Sequence, residues 1–82
     1  MYSVLVEVRL REGVADPEGS TVQRSLPALG FEGIADVKVG KAIRFTVDAA
    51  DENAARSTVE DLCDRFLTNP VIEDSVIVIE AA

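Results

Sequence analysis

Residues 76–79 read Val-Ile-Val-Ile, four apolar side chains without a break. A strand sends alternate side chains to opposite faces, so this run makes both faces of one strand apolar. One face can cover the chain's own core. The other needs cover too, in a chain of only 82 residues. At this length the chain makes one domain, 1–82, and folding buries somewhat over ~60% of the surface its extended form exposes. Small domains without staples often gain stability by associating.

The rest of the chain supplies the partners of that strand. Tyr2, Val4, Val6, Val8 and Leu10 alternate with Ser3, Leu5, Glu7 and Arg9, a period-two strand that ends at Arg11, Glu12 and Gly13. Asp16 is a good N-cap, and Pro17 suits the first helical position, where its missing N–H costs nothing. Val22, Leu26 and Leu29 fall on one helical face, with Gly30 as the terminating residue. Pro27 removes the bond to the Gln23 carbonyl, which predicts a distortion in the last turn. Segments 31–39 and 42–48 flank Gly40-Lys41 and alternate apolar with polar residues, the pattern of a hairpin turned by the glycine. Asp51 caps a second helix, whose stripe of Ala55, Val59, Leu62 and Phe66 has the spacing 0, 4, 7 and 11. Arg56 and Glu60 are placed to pair on its outer face. Asn69 and Pro70 stop the helix before the closing strand.

The expected order is therefore β-α-β-β-α-β. This is the α+β split βαβ (ferredoxin-like) two-layer sandwich, a four-stranded antiparallel sheet with two helices on one face. Its other face is open. Either Val76 and Val78 or Ile77 and Ile79 lie there, with Leu5 of the first strand beside them. An open apolar face marks an interaction surface.

Composition argues against chemistry by this chain alone. There is no histidine, which removes the commonest general base, the commonest zinc ligand and every Ser-His or Cys-His nucleophile. The single cysteine, Cys63, neighbours the helical stripe and reads as a buried or half-buried structural thiol. Fifteen acids against eight bases leave a net charge of −7, which disfavours nucleic acid and anionic membranes as partners. No apolar run approaches a membrane span, and Met1 leads directly into a strand pattern without a signal-peptide signature, so the cytoplasm is expected.

Gly40-Lys41 resembles the end of a phosphate-binding loop, but Gly33 is two residues too distant, Ala42 replaces the hydroxyl residue and a strand follows. Glu73 and Asp74 are strand neighbours that point to opposite faces, so they shape the start of the last strand rather than a shared acid–base site.

Four stretches carry a resemblance: MYSVLVEVRLREGV, DPEGSTVQRSL, LGFEGIADVKVGKAIRF and CDRFLTNPVIEDSVIVIE. In this order they span nearly the whole chain. They resemble the PurS family, the small subunit of multi-subunit phosphoribosylformylglycinamidine synthase. Pro27 is a departure, inside a helix that the family usually keeps regular. The resemblance implies a non-catalytic subunit of a glutamine-dependent, ATP-consuming C–N ligase of purine biosynthesis. A glutaminase subunit releases ammonia, and a synthetase subunit uses it to amidate formylglycinamide ribonucleotide. The small subunit brings them together and associates with itself. The complex uses ATP and Mg, while this chain is expected to bind no cofactor and no metal.

The resulting expectations are specific. Self-association as a homodimer or higher homo-oligomer is expected through Leu5, Val76, Ile77, Val78 and Ile79. Contacts with the larger subunits are expected through loops at Asp16, Pro17, Gly19, Gly40, Lys41, Asn69 and Pro70. No catalytic residue is expected. The alternative is a small-ligand-binding regulatory module, which rests on fold analogy alone.

Overall fold

The computed structural model describes all 82 residues, Met1–Ala82. The first strand, β1 (Tyr2–Leu10), lies in the middle of the sheet. On one side it pairs antiparallel with β2 (Lys41–Val47), and on the other with β3 (Glu73–Ala81). The register places Val4 opposite Phe45 and Ile79, and Leu5 opposite Arg44 and Val78. Alternation then assigns every side chain to a face. Val4, Val6 and Val8 point to the buried face with Ile77 and Ile79, and Ser3, Leu5 and Glu7 share the other face with Val76, Val78 and Glu80.

Helix α2 (Glu52–Leu62) covers the buried face. Its N-cap is Asp51, whose Oδ1 accepts from the Ala54 amide at 2.8 Å. Ala55, Val59 and Cys63 pack with Val4, Val6, Val8 and Ile79 as the core. The helix continues as a π-helical turn over Cys63–Leu67. There the Thr68 amide and hydroxyl both donate to the Cys63 carbonyl at 3.0 Å. The wider turn breaks the expected stripe: Val59 and Cys63 are buried, but Phe66 is turned out and 80% exposed. On the outer face the ion pair is Asp61 with Arg65, at 3.2 Å, rather than Arg56 with Glu60.

The first helix, α1 (Pro17–Ser25), is followed by a 3-10 turn over Pro27–Leu29. Pro27 has no N–H to give the Gln23 carbonyl, and the Leu26 amide donates to it instead at 3.3 Å. The tighter turn ends at Gly30, which has φ +89°. This is the distortion that the proline predicts.

Two parts of the expected architecture are corrected. The sheet has three strands, not four. Residues 31–40 form no ladder: positive φ at Gly33 (78°) and Asp36 (56°) interrupts the extended run. Gly40 is not a hairpin turn residue either. It lies against β1, where an added Cβ would stand 2.6 Å from the Val8 carbonyl oxygen. The second correction concerns α1. Of its residues only Gly19 is buried, and Val22 is 45% exposed, so this helix does not share the cover of the sheet with α2.

Helix α1 and residues 26–40 instead make an arm. The amides of Val37 and Val39 donate to the side chains of Gln23 (3.2 Å) and Asp16 (2.8 Å), so the return segment runs beside the helix. The arm lengthens the molecule to 51 × 27 × 15 Å, with a radius of gyration of 16.3 Å. A compact domain of this length has a radius of gyration of about 12 Å. Only 8 of 82 residues are buried. Taken alone, the chain leaves much apolar surface without cover.

Candidate functional site

The sheet's open face is one candidate surface. Leu5 and Val78 stand directly opposite each other on it, with Val76 two residues along β3. Val76 and Val78 are 40% and 45% exposed. Glu7 and Arg9, two residues apart and hence on the same face, form an ion pair at 2.7 Å. The Arg9 guanidinium donates to the Glu7 carboxylate and holds its pKa below the ordinary value. The face is thus an apolar strip beside a charged strip. Of the five residues expected to mediate self-association, Leu5, Val76 and Val78 lie here. Ile77 and Ile79 do not: they belong to the protomer's own core on the helix side.

The second surface is one end of the sheet. Antiparallel pairing brings the end of β1 to the starts of β2 and β3, with Val8 opposite Lys41 and Leu10 opposite Glu73. The start of α1 reaches the same end, where Asp16, Pro17, Gly40, Lys41 and Glu73 line one shallow hollow. Asp16 joins the parts: Oδ1 accepts from the Gly19 amide at 2.9 Å and caps α1, while Oδ2 accepts from Val39. These two bonds hold its carboxyl below the usual aspartate range, the Val39 bond contributing more. Gly19 allows the approach. An added Cβ there would lie 2.5 Å from the Val37 carbonyl oxygen.

Asn69 and Pro70 sit on the turn that leads into β3 at this same end. The turn is tightly bonded. Asn69 Oδ1 accepts from Val71 at 3.1 Å, and Glu73 Oε1 accepts from the Asn69 amide at 2.8 Å. The Arg11 amide, just past β1, donates to the Ile72 carbonyl at 2.8 Å, and Arg11 pairs with Asp74 at 3.1 Å. All seven residues expected to meet larger subunits are therefore drawn to one end of the sheet from three separate stretches of sequence, although Pro17 and Gly19 lie in α1 and Lys41 in β2 rather than in loops.

Sequence reasoning missed the exposed apolar residues of the arm and of the π-helical turn. Leu29, Phe31 and Ile34 are 69%, 55% and 47% exposed, and Phe66 and Val71 are 80% and 78%. The available signal was the interruption of the apparent helical and strand periods by Pro27, Gly30 and Gly33. Cys63 is buried as expected, and burial pushes its thiol pKa up, so it stays protonated and inert at neutral pH. No three His, Cys, Asp or Glu side chains form a group that could hold a metal ion.

These features define a small two-layer α+β protein whose chemistry lies in its surfaces: an uncovered sheet face, a projecting arm and a loop-rich end. The chain belongs to the PurS family, described as phosphoribosylformylglycinamidine (FGAM) synthase, whose model matches residues 3–81. The PurS subunit of the synthase from Methanocaldococcus jannaschii is 39% identical over 80 residues, covering 98% of this chain and 96% of that protein. The PurS subunit from Bacillus subtilis is 39% identical over 74 residues, 90% of this chain and 87% of the other. The crystal structure of M. jannaschii PurS superposes with a TM-score of 0.91 at 38% identity, over 100% of this chain and 99% of that one. A chain in the structure of PurLQS from Thermotoga maritima superposes with a TM-score of 0.89 at 28% identity, over 96% of each chain.

Proposed function

We propose that this chain joins the glutaminase and synthetase subunits of phosphoribosylformylglycinamidine synthase in purine biosynthesis. The synthase is a glutamine-dependent ligase. The joined subunits let ammonia from glutamine reach the ATP-dependent amidation of formylglycinamide ribonucleotide. The observation that carries this reading is the mismatch between chain and fold: a PurS-family chain that buries 8 of its 82 residues by itself. The presence of a chain of the same fold in a PurLQS assembly supports it. The physical reason for a bridge is simple. Ammonia released into neutral water is protonated and diluted, and the ammonium ion is no nucleophile. Holding two active sites in fixed relation preserves the free base.

In this reading ATP and Mg belong to the synthetase subunit, and the present chain contributes contacts. Self-association runs through Leu5, Val76 and Val78 on the open face. The loop-rich end, with Asp16, Pro17, Gly19, Gly40, Lys41, Asn69 and Pro70, meets the larger subunits. The setting is the cytoplasm. No helix of the chain is long and apolar enough to cross a membrane.

Reconstitution tests the proposal. Adding the chain to the two larger subunits should restore glutamine-driven product formation, while the chain alone turns over nothing. Equal glutamine-driven rates with and without it would overturn the reading.

A further inference from the structure

We infer that the corner between α2 and β3 is a rigid knob whose Phe66 enters an apolar socket with a basic rim on a larger subunit of the synthase. The inference rests on the bridging function proposed above and adds a contact to it.

Three observations carry it. The first is that Phe66 is displayed by the backbone. In a regular α-helix its spacing from Val59 and Leu62 would turn it toward the sheet. The π-helical turn over Cys63–Leu67 rotates it outward to 80% exposure, while Cys63 takes the buried position at 2%. The second is that the corner is fixed before any partner arrives. Thr68 bonds twice to the Cys63 carbonyl, Asn69 Oδ1 accepts from Val71, and Glu73 Oε1 accepts from Asn69. The Ile72 and Glu73 amides both donate to the Asn69 carbonyl, at 3.1 and 2.8 Å. Docking then orders little that was not already ordered, and affinity lost to conformational entropy is small. Val71, 78% exposed, is carried on the same bonded turn.

The third observation is charge. Between residues 60 and 74 the acids Glu60, Asp61, Asp64, Glu73 and Asp74 face one base, Arg65, and Arg11 reaches Asp74 at 3.1 Å, so Glu60, Asp64 and Glu73 are left without a basic partner and the corner is net acidic. Arg65 is already tied to Asp61 at 3.2 Å. A second copy of this chain, with a net charge of −7, would bring a like-charged rim to the same place. Basic residues around the socket complement the rim and set the orientation of the contact. An exposed aromatic in such a place has the character of a binding hot spot.

The test uses the full chain with both larger subunits. Phe66→Ala removes a side chain that makes no part of the core, so fold and self-association should be unchanged by circular dichroism and sedimentation. Affinity for the larger subunits should fall about tenfold or more in a titration followed by sedimentation or calorimetry. Val71→Ala should weaken it in the same direction, and Asp64→Lys should weaken it most at low salt. Wild-type affinity in Phe66→Ala and Val71→Ala would overturn the inference while leaving the bridging function in place. A variant whose self-association changes instead makes a second copy the occupant and also overturns it. Failure of the wild-type chain to bind either larger subunit would overturn the bridging function itself, and this inference with it.

Discussion

Asp16 Oδ2 accepts a hydrogen bond from the Val39 amide at 2.8 Å across 23 residues of sequence, while the other oxygen of the same carboxylate caps α1. One side chain thereby fixes both legs of the arm. Both bonds need an ionised acceptor to be strong, and they hold the Asp16 pKa below its ordinary value. A group depressed in the folded state contributes stability that is fully present above its unfolded pKa, near ~3.9, and is lost as pH falls through the lower folded value. The Gly19 and Val39 amide proton shifts should therefore titrate together, with a midpoint below that of an unstructured aspartate. Asp16→Asn should abolish that shared titration. Separate midpoints for the two amides would contradict the double role.

The open face yields a prediction about assembly. Leu5 and Val78 are opposed there, and Val78 is 45% exposed in the protomer. Val78→Asp should leave the protomer folded, because its carboxylate reaches water. Pairing two such faces would bury that carboxylate, at a cost of several kcal/mol, roughly. Sedimentation should show a folded protomer where the parent chain self-associates. Ile79→Asp should unfold the chain, since Ile79 lies in the core. An unchanged oligomer in Val78→Asp would remove this face from the self-association interface.

Core and surface truncations should rank against side-chain size. Val59 is fully buried between α2 and β1, whereas the larger Phe66 is mostly in water. Val59→Ala should cost about 2 kcal/mol or more in chemical denaturation, from lost burial and the cavity left behind. Phe66→Ala should cost almost nothing in the isolated protein. Equal losses would mean that Phe66 packs inside after all.

Gly19→Ala sets two effects against each other. Alanine favours a helix over glycine by about 1 kcal/mol. Here its Cβ would lie 2.5 Å from the Val37 carbonyl oxygen and 2.7 Å from Asp16 Oδ2. The close backbone oxygen decides the outcome, because it cannot swing away as a side-chain tip does. The variant should be less stable, with shifted Val37 and Val39 resonances. A gain in thermal midpoint would show that the return segment yields freely.

What the sequence disclosed followed from local rules. The caps Asp16 and Asp51, the alternation of β1 and the effect of Pro27 each depend on a few neighbouring residues, and each appears in the structure. What it concealed depended on distant partners. Val37 and Val39 alternate as a strand would, but their amides are satisfied by Gln23 and Asp16, 14 and 23 residues back. The run at 76–79 is apolar at every position, so periodicity could not say which pair faces water. Only the register, with Ile79 opposite Val4, decides that. Phe66 was misplaced because the stripe assumed a constant α-helical period that the π-helical turn does not keep. The candidate surfaces were legible as residues and illegible as places: the stretches at Asp16, Gly40 and Asn69 show no kinship in sequence and meet through strand pairing and the Asp16–Val39 bond.

The position of β1 between its two neighbours has a further consequence. β1 spends its backbone on both sides, whereas every second amide of β2 and β3 points outward. In heavy water those outward hydrogens should be replaced quickly while the chain is alone. Each one that becomes slow on mixing marks a rim that has been covered, so the isotope pattern along two strands maps the neighbours the subunit has acquired.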